Sequence, residues 1–244
     1  MRALAELGND EAYRTGLAHF YEIAPQLPDE NMHTFPDVNE LGVELQRGNV
    51  AAAATILARL QPYDEREADL GVADETAARG LTALQLGDPA GAIAALEPTY
   101  RSATDDGARQ SVGCRLALAY AADRRPGDTC AVLDDLRVRT GGTYSDRMIA
   151  LWAESIVQAQ TGDGDPRASV DAAHAIATAT DARLEHAIAA LARARVLEAL
   201  GDADAAAVAS DADQQLASLG ITGEGWRAVF DLGLEPVRTA KPSV

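Results

Sequence analysis

Residues 72–100 read VADETAARGLTALQLGDPAGAIAALEPTY, two alanine-rich, apolar-periodic segments on either side of Gly87-Asp88. In the second segment Ile93, Leu96 and Tyr100 recur at i, i+3 and i+7, one face of a helix. Pro89 stands at its start, where a missing N–H costs little. Glycine accommodates the left-handed conformation that ends one helix, and the following Asp can cap the next. The stretch therefore predicts a helical hairpin.

The same mark recurs along the chain, at Gly8-Asn9, Gly48-Asn49, Gly87-Asp88, Gly127-Asp128, Gly164-Asp165 and Gly201-Asp202, with intervals of 40, 39, 40, 37 and 37 residues. A fixed period of this length is the signature of a helical repeat. Breakers cluster between hairpins, at Pro25 to Pro28, Pro62 near Asp64, Asp105 to Gly107, Gly141-Gly142 and Thr180-Asp181. The predicted helix pairs are 36–47 with 50–61, 67–86 with 89–101, 107–123 with 128–138, 144–161 with 166–179, and 182–200 with 203–219. Ahead of Gly8 stands only MRALAEL, so the first hairpin reads as incomplete, as in the C-terminal part of a longer protein.

The expected fold is all-α, an α-solenoid of antiparallel helix hairpins with about five to six repeats. Residues 1–235 form one domain, 220–235 serve as a C-terminal cap, and 236–244 are a disordered tail. Trp226, Val229 and Phe230 share a helical face, and the expectation is that they cover the open apolar end of the last hairpin.

Composition agrees with thin, closely packed helices: alanine is abundant, and aromatic residues make up 5% of the chain. The formal net charge of −17 and the lack of a basic cluster argue against direct nucleic-acid binding, and would bias the chain towards basic partners. Lys241 is the only lysine, a bias that suggests a high-GC bacterial genome. No apolar run is long enough to span a membrane and the amino terminus lacks a signal peptide's apolar core, so the expected location is cytoplasmic. Cys114 and Cys130 are too few for a disulfide framework or a metal site and are expected as buried thiols.

The recurrent residues resemble tetratricopeptide (TPR) repeats. Leu41-Gly42 with Leu45 and Gly48-Asn49, Gly80 with Gly87-Asp88 and Ala92, and Leu116-Ala117 with Ala119 and Tyr120 fall on or near that family's positions. The periods exceed the family's usual length, and its proline after the second helix is mostly missing. The resemblance implies a right-handed superhelix whose concave face, lined by the first helix of each pair, binds protein or peptide. Its groove positions map onto Asn39, Gln46, Asp74, Gln85, Ser111, Trp152, Gln160, Arg195 and Glu198. Trp152 either lines that groove or fills the seam between neighbouring hairpins. Leu216 to Leu234, LASLGITGEGWRAVFDLGL, is similar to the closing segment of TPR-like regions in actinobacterial multidomain regulators.

No motif of catalytic chemistry is present, whether a phosphate-cradling glycine loop, a nucleophile elbow or a zinc-binding His-Glu-x-x-His. His19, His33, His174 and His186 are scattered, the turn 162–166 lacks the donors of a calcium loop, and Asp134, Asp135, Asp211 and Asp213 read as solvated helix faces. The expected role is a protein- or peptide-binding scaffold in cytoplasmic signalling, without enzymatic activity, cofactor or metal. The alternative is a regulator that senses a small molecule or signal peptide in the same groove.

Overall fold

The computed structural model describes residues 2–28, 33–60 and 69–234, with side chains from 3–28, 33–60 and 75–234. The expected breakers at Pro62 and Asp64, the tail at 236–244 and the side chain of Asp74 lie outside these described residues. The described chain is helical throughout: α1 (Arg2–Glu6), α2 (Asp10–Ile23) followed by a 3-10 turn (Ala24–Gln26), α3 (Phe35–Arg47), α4 (Val50–Arg59), α5 (Asp69–Gln85), α6 (Pro89–Ser102), α7 (Asp106–Ala122), α8 (Pro126–Arg137), α9 (Tyr144–Thr161), α10 (Pro166–Thr178), α11 (Arg183–Leu200), α12 (Ala205–Ser218) and α13 (Glu224–Leu234).

Helix after helix ends and restarts as the sequence requires. Gly48, Gly162 and Gly201 take left-handed φ values of 69°, 76° and 67° at the ends of α3, α9 and α11. Asn9, Asn49, Asp88, Asp105 and Asp165 accept hydrogen bonds from backbone N–H groups in the first turns of the helices they precede. α3 packs on α4, α5 on α6, α7 on α8, α9 on α10 and α11 on α12, and neighbouring pairs meet through α3, α5, α7, α9 and α11 in succession. Fully buried alanines such as Ala117, Ala119, Ala121, Ala187, Ala189 and Ala192 keep these helices thin enough for close approach. At Gly80 the approach is closest, since an added Cβ would fall 2.4 Å from Leu96.

The succession does not run out in a straight line. α11 also meets α1 and α3, so the first helices lie against the last. Gly8 comes up against Leu219 and Arg183, and Gly48 against Gly223 and Trp226. One core runs from Leu41 to Phe230, and a smaller cluster of Ala5, Tyr13, Leu17 and Val43 joins α1, α2 and α3.

One expected mark is displaced. Gly127-Asp128 is not a turn: Pro126 opens α8, Gly127 lies in its first turn, and the left-handed position after α7 is taken by Arg124 at φ 57°. Gly-Asp suits a helix end and a helix start alike, and the sequence pattern does not separate the two. Substituting the two glycines should therefore have opposite signs. Gly87 has φ 83° and open space around it, so Gly87→Ala is expected to cost about 1–2 kcal/mol from backbone strain alone. Gly127→Ala, in helical backbone with equally open space, is expected to stabilise by about 0.5–1 kcal/mol. Urea denaturation midpoints of the two variants check this.

Candidate functional site

One side of α5, α7, α9 and α11 is occupied by α13, the last helix among the described residues. In α13 the residues Gly225, Trp226, Val229, Phe230 and Gly233 fall on one face, and all five are buried. That face packs against α11, α9, α7 and α5. At its start the Gly225 N–H donates to the Gly48 carbonyl at 2.9 Å, and the Trp226 indole N–H donates to the Gln46 carbonyl at 2.8 Å, 180 residues away. The N-terminus of α13 thus sits on the carbonyl end of α3, a favourable alignment of helix dipoles. At its far end the Gln160 carboxamide donates both to the Gly233 carbonyl at 2.8 Å and to the Ala121 carbonyl at 2.7 Å.

Between these ends lies an aromatic triad. The ring of Trp152 meets Trp226 edge-on at 5.4 Å and Phe230 edge-on at 5.7 Å, and Trp226 stacks on Phe230 at 6.4 Å. The two tryptophans are each 3% exposed and Phe230 is fully buried. Glycines bring the backbone in at both ends: a Cβ at Gly225 would fall 2.7 Å from Val50 and 2.8 Å from Gln85, and one at Gly233 2.7 Å from Ile156. Arg195 of α11 faces Asp231 at 3.4 Å and also pairs with Glu198 at 2.9 Å.

Of the nine groove positions expected from the sequence, Gln46, Gln85, Trp152, Gln160 and Arg195 gather around α13. Trp152 meets Trp226 and Phe230 of α13 and is buried there. Glu198 is exposed and reaches the site only through Arg195. Asn39 is half-buried and spends its carboxamide on the Phe35 carbonyl of its own helix at 2.9 Å. Asp74 falls within α5, with its side chain outside the described residues. Trp226, Val229 and Phe230 do more than cover the last hairpin, because they reach across to α5, α7 and α9 and to the end of α3.

The glutamines form a row that the sequence carries and the Gly-Asp marks overlook. Gln46, Gln85 and Gln160 each stand two residues before a left-handed glycine, in Gln-Arg-Gly-Asn, Gln-Leu-Gly-Asp and Gln-Thr-Gly-Asp. Gln85 donates to the Leu45 carbonyl at 2.9 Å just as Gln160 donates to that of Ala121, so each ties its helix to the last turn of the preceding odd-numbered one. Their Oε1 atoms, with that of Gln46 and the Trp152 indole nitrogen, are buried without a hydrogen-bond partner among the described residues. Each such atom costs about 1–3 kcal/mol. Burying Trp226, Val229 or Phe230 contributes about 1.5–3 kcal/mol apiece.

Ser111 belongs to a second cluster, between α7 and α9. Its carbonyl and hydroxyl accept from Arg115 at 2.6 and 3.1 Å, and Arg115 pairs with Asp146 at 3.1 Å. Asp146 is 5% exposed and closes a capping box with Thr143, whose N–H and hydroxyl donate to it at 2.9 and 2.8 Å. Burial pushes the Asp146 carboxyl up, but the Arg115 guanidinium and the Thr143 donors outweigh it, and the net pKa lies below the usual value. Beside it, burial pushes the Cys114 thiol well above its ordinary range. Cys130, expected to be buried, is exposed.

Elsewhere the titratable side chains serve helix packing. Asp135 is held far below the carboxylate range by its bonds from Arg139, with Tyr100 and Arg109 also in contact, so it is an ion-pair hub rather than a solvated face. Asp134 is exposed beside Arg137, and Asp213 pairs with Arg227. Burial lowers the pKa of His174, and His186 bonds the Thr180 carbonyl at 2.9 Å. Among the described residues no group of His, Cys, Asp and Glu is placed to hold a metal ion, and no helix is long and apolar enough to cross a membrane. Comparison with known protein families, with curated proteins and with solved structures finds no match for this chain.

Proposed function

We propose that this chain is a TPR-like helical-repeat module, an α-solenoid of five to six hairpins in a right-handed superhelix, that binds a protein or peptide on its inner face. One observation carries the reading: a helix, α13, lies against α5, α7, α9 and α11, met by the Gln160 carboxamide, the Gln46 backbone carbonyl, the Trp152 ring and Arg195. Helix-in-groove recognition uses the same elements, namely apolar anchors one turn apart and a few polar contacts that fix register. Asp135, Asp146 and Asp213 are committed to ion pairs, which supports a structural role for them. A regulatory role in bacterial signalling is the setting proposed for it.

The test is a footprint. A partner captured with the full chain, purified and added back, should slow hydrogen exchange along α5, α7, α9 and α11. Protection confined to α6, α8, α10 and α12 would contradict an inner-face site.

A further inference from the structure

We infer that α13 is a self-bound occupant of a site whose partner is an amphipathic helix of another protein, and that this partner binds by displacing α13. The inference rests on the inner-face reading above and names its ligand class.

The apolar half of the fit is complete. Trp226, Val229 and Phe230 are buried to 3%, 0% and 0% exposure, and the flanking glycines allow backbone contact. The polar half is not. Trp152 and Gln85, each 3% exposed, present an indole N–H and a carboxamide oxygen for which the described residues hold no partner, and Gln46 and Gln160 add two more buried oxygens. The polar side chains of α13 do not turn to them: Arg227 bonds Asp213 and the Thr222 carbonyl, and Asp231 faces Arg195.

The complementary ligand follows from this inventory. It keeps two aromatic residues one helical turn apart and an acid just beyond the second, facing Arg195. It adds hydroxyl or carboxamide side chains on the flanks, donating to the glutamine row and accepting from Trp152. Such a helix repeats the contacts of α13 and also meets the groups that α13 leaves unmet, so it has a differential affinity with which to displace it. A second copy of this chain has no such advantage, because its α13 carries the same deficits and competes against a tethered segment at high effective concentration.

Release has a hinge in place. Gly220 and Gly223, both left-handed at φ 69° and 64°, flank the short link from α12, and an added Cβ at Gly220 would meet nothing within 4 Å. Gly220 is the free end of the link, whereas Gly223 lies against Leu216 of α12 and Leu191 of α11, where an added Cβ would fall 3.3 and 3.4 Å away.

Hydrogen exchange of the full chain and binding of a fluorescent synthetic peptide spanning residues 220–234 test the inference together. The amides of α13 should exchange at least about tenfold faster than those of α9 and α11, through opening below global unfolding. The peptide should bind a full-length Phe230→Ala chain at least about tenfold more tightly than wild type, because the unblocked groove is populated more often. If that variant does not fold, Asp231→Arg weakens the same docking while leaving the aromatic contacts in place. Exchange of α13 only with global unfolding, or equal peptide binding by both chains, would overturn the inference. So would light scattering that shows the groove taken by the α13 of a second copy. Should α13 stay fixed while a captured partner still protects the odd-numbered helices, displacement fails and the inner-face reading stands.

Discussion

Asp146→Ala is expected to destabilise the protein by about 3–5 kcal/mol, the range for removing one partner of a buried ion pair. The carboxylate is 5% exposed, caps the first turn of α9 and is the counter-charge of Arg115 on α7, so its loss acts on two adjacent pairs at once. Because its folded pKa is lowered, its contribution is fully present above the unfolded value near 3.8 and is lost as pH falls through the folded one. Asp146→Asn should accordingly be less stable than wild type at neutral pH, with the difference shrinking in acid below that value. Denaturant titrations at neutral and acid pH check this, and a difference that grows on acidification would contradict it.

The second large effect is local. Phe230→Ala removes a fully buried ring from the triad and should cost the docked state of α13 about 3–5 kcal/mol. If α13 opens on its own, unfolding of the remaining helices feels this loss only up to the free energy that holds α13 in place. Leu118→Ala, fully buried in α7, has no such ceiling and should show about 2–5 kcal/mol in the global transition. In Phe230→Ala the tryptophan fluorescence transition should precede loss of far-UV circular dichroism. Coincident transitions, shifted by the full amount, would make α13 an integral part of the core.

The helices were legible in the sequence, because left-handed glycines, Asn and Asp caps and apolar periodicity are local signals that agree with one another. The ends of α3, α9 and α11 and the starts of α6 and α10 stand where those signals put them. The failures were local too. Arg124 in left-handed backbone is invisible to a search for glycine, and anchoring one mark on Gly164-Asp165 hid the Gln160-Thr161-Gly162-Asp163 pattern that aligns with Gln46 and Gln85. Cys130 is exposed on α8, which a residue-type rule does not register.

The inner face was only half legible. The resemblance to tetratricopeptide repeats named Gln46, Gln85, Trp152, Gln160 and Arg195, which the fold does bring together. What fills the space between them was not readable, since Trp226 advertises an apolar face but not which surface 180 residues away receives it. That information resides in the tertiary arrangement that brings α3 against α11, which no local sequence signal carries.

The most direct test of the central claim, that the chain's own α13 lies on the inner face of the odd-numbered helices, is a nuclear Overhauser measurement on the full chain. Cross-peaks are expected from the Trp226 indole to Gln46 and Gly48, and from the Phe230 ring to Trp152. Contacts of Trp226 and Phe230 with α12 alone, and none with Gln46, Gly48 or Trp152, would contradict it.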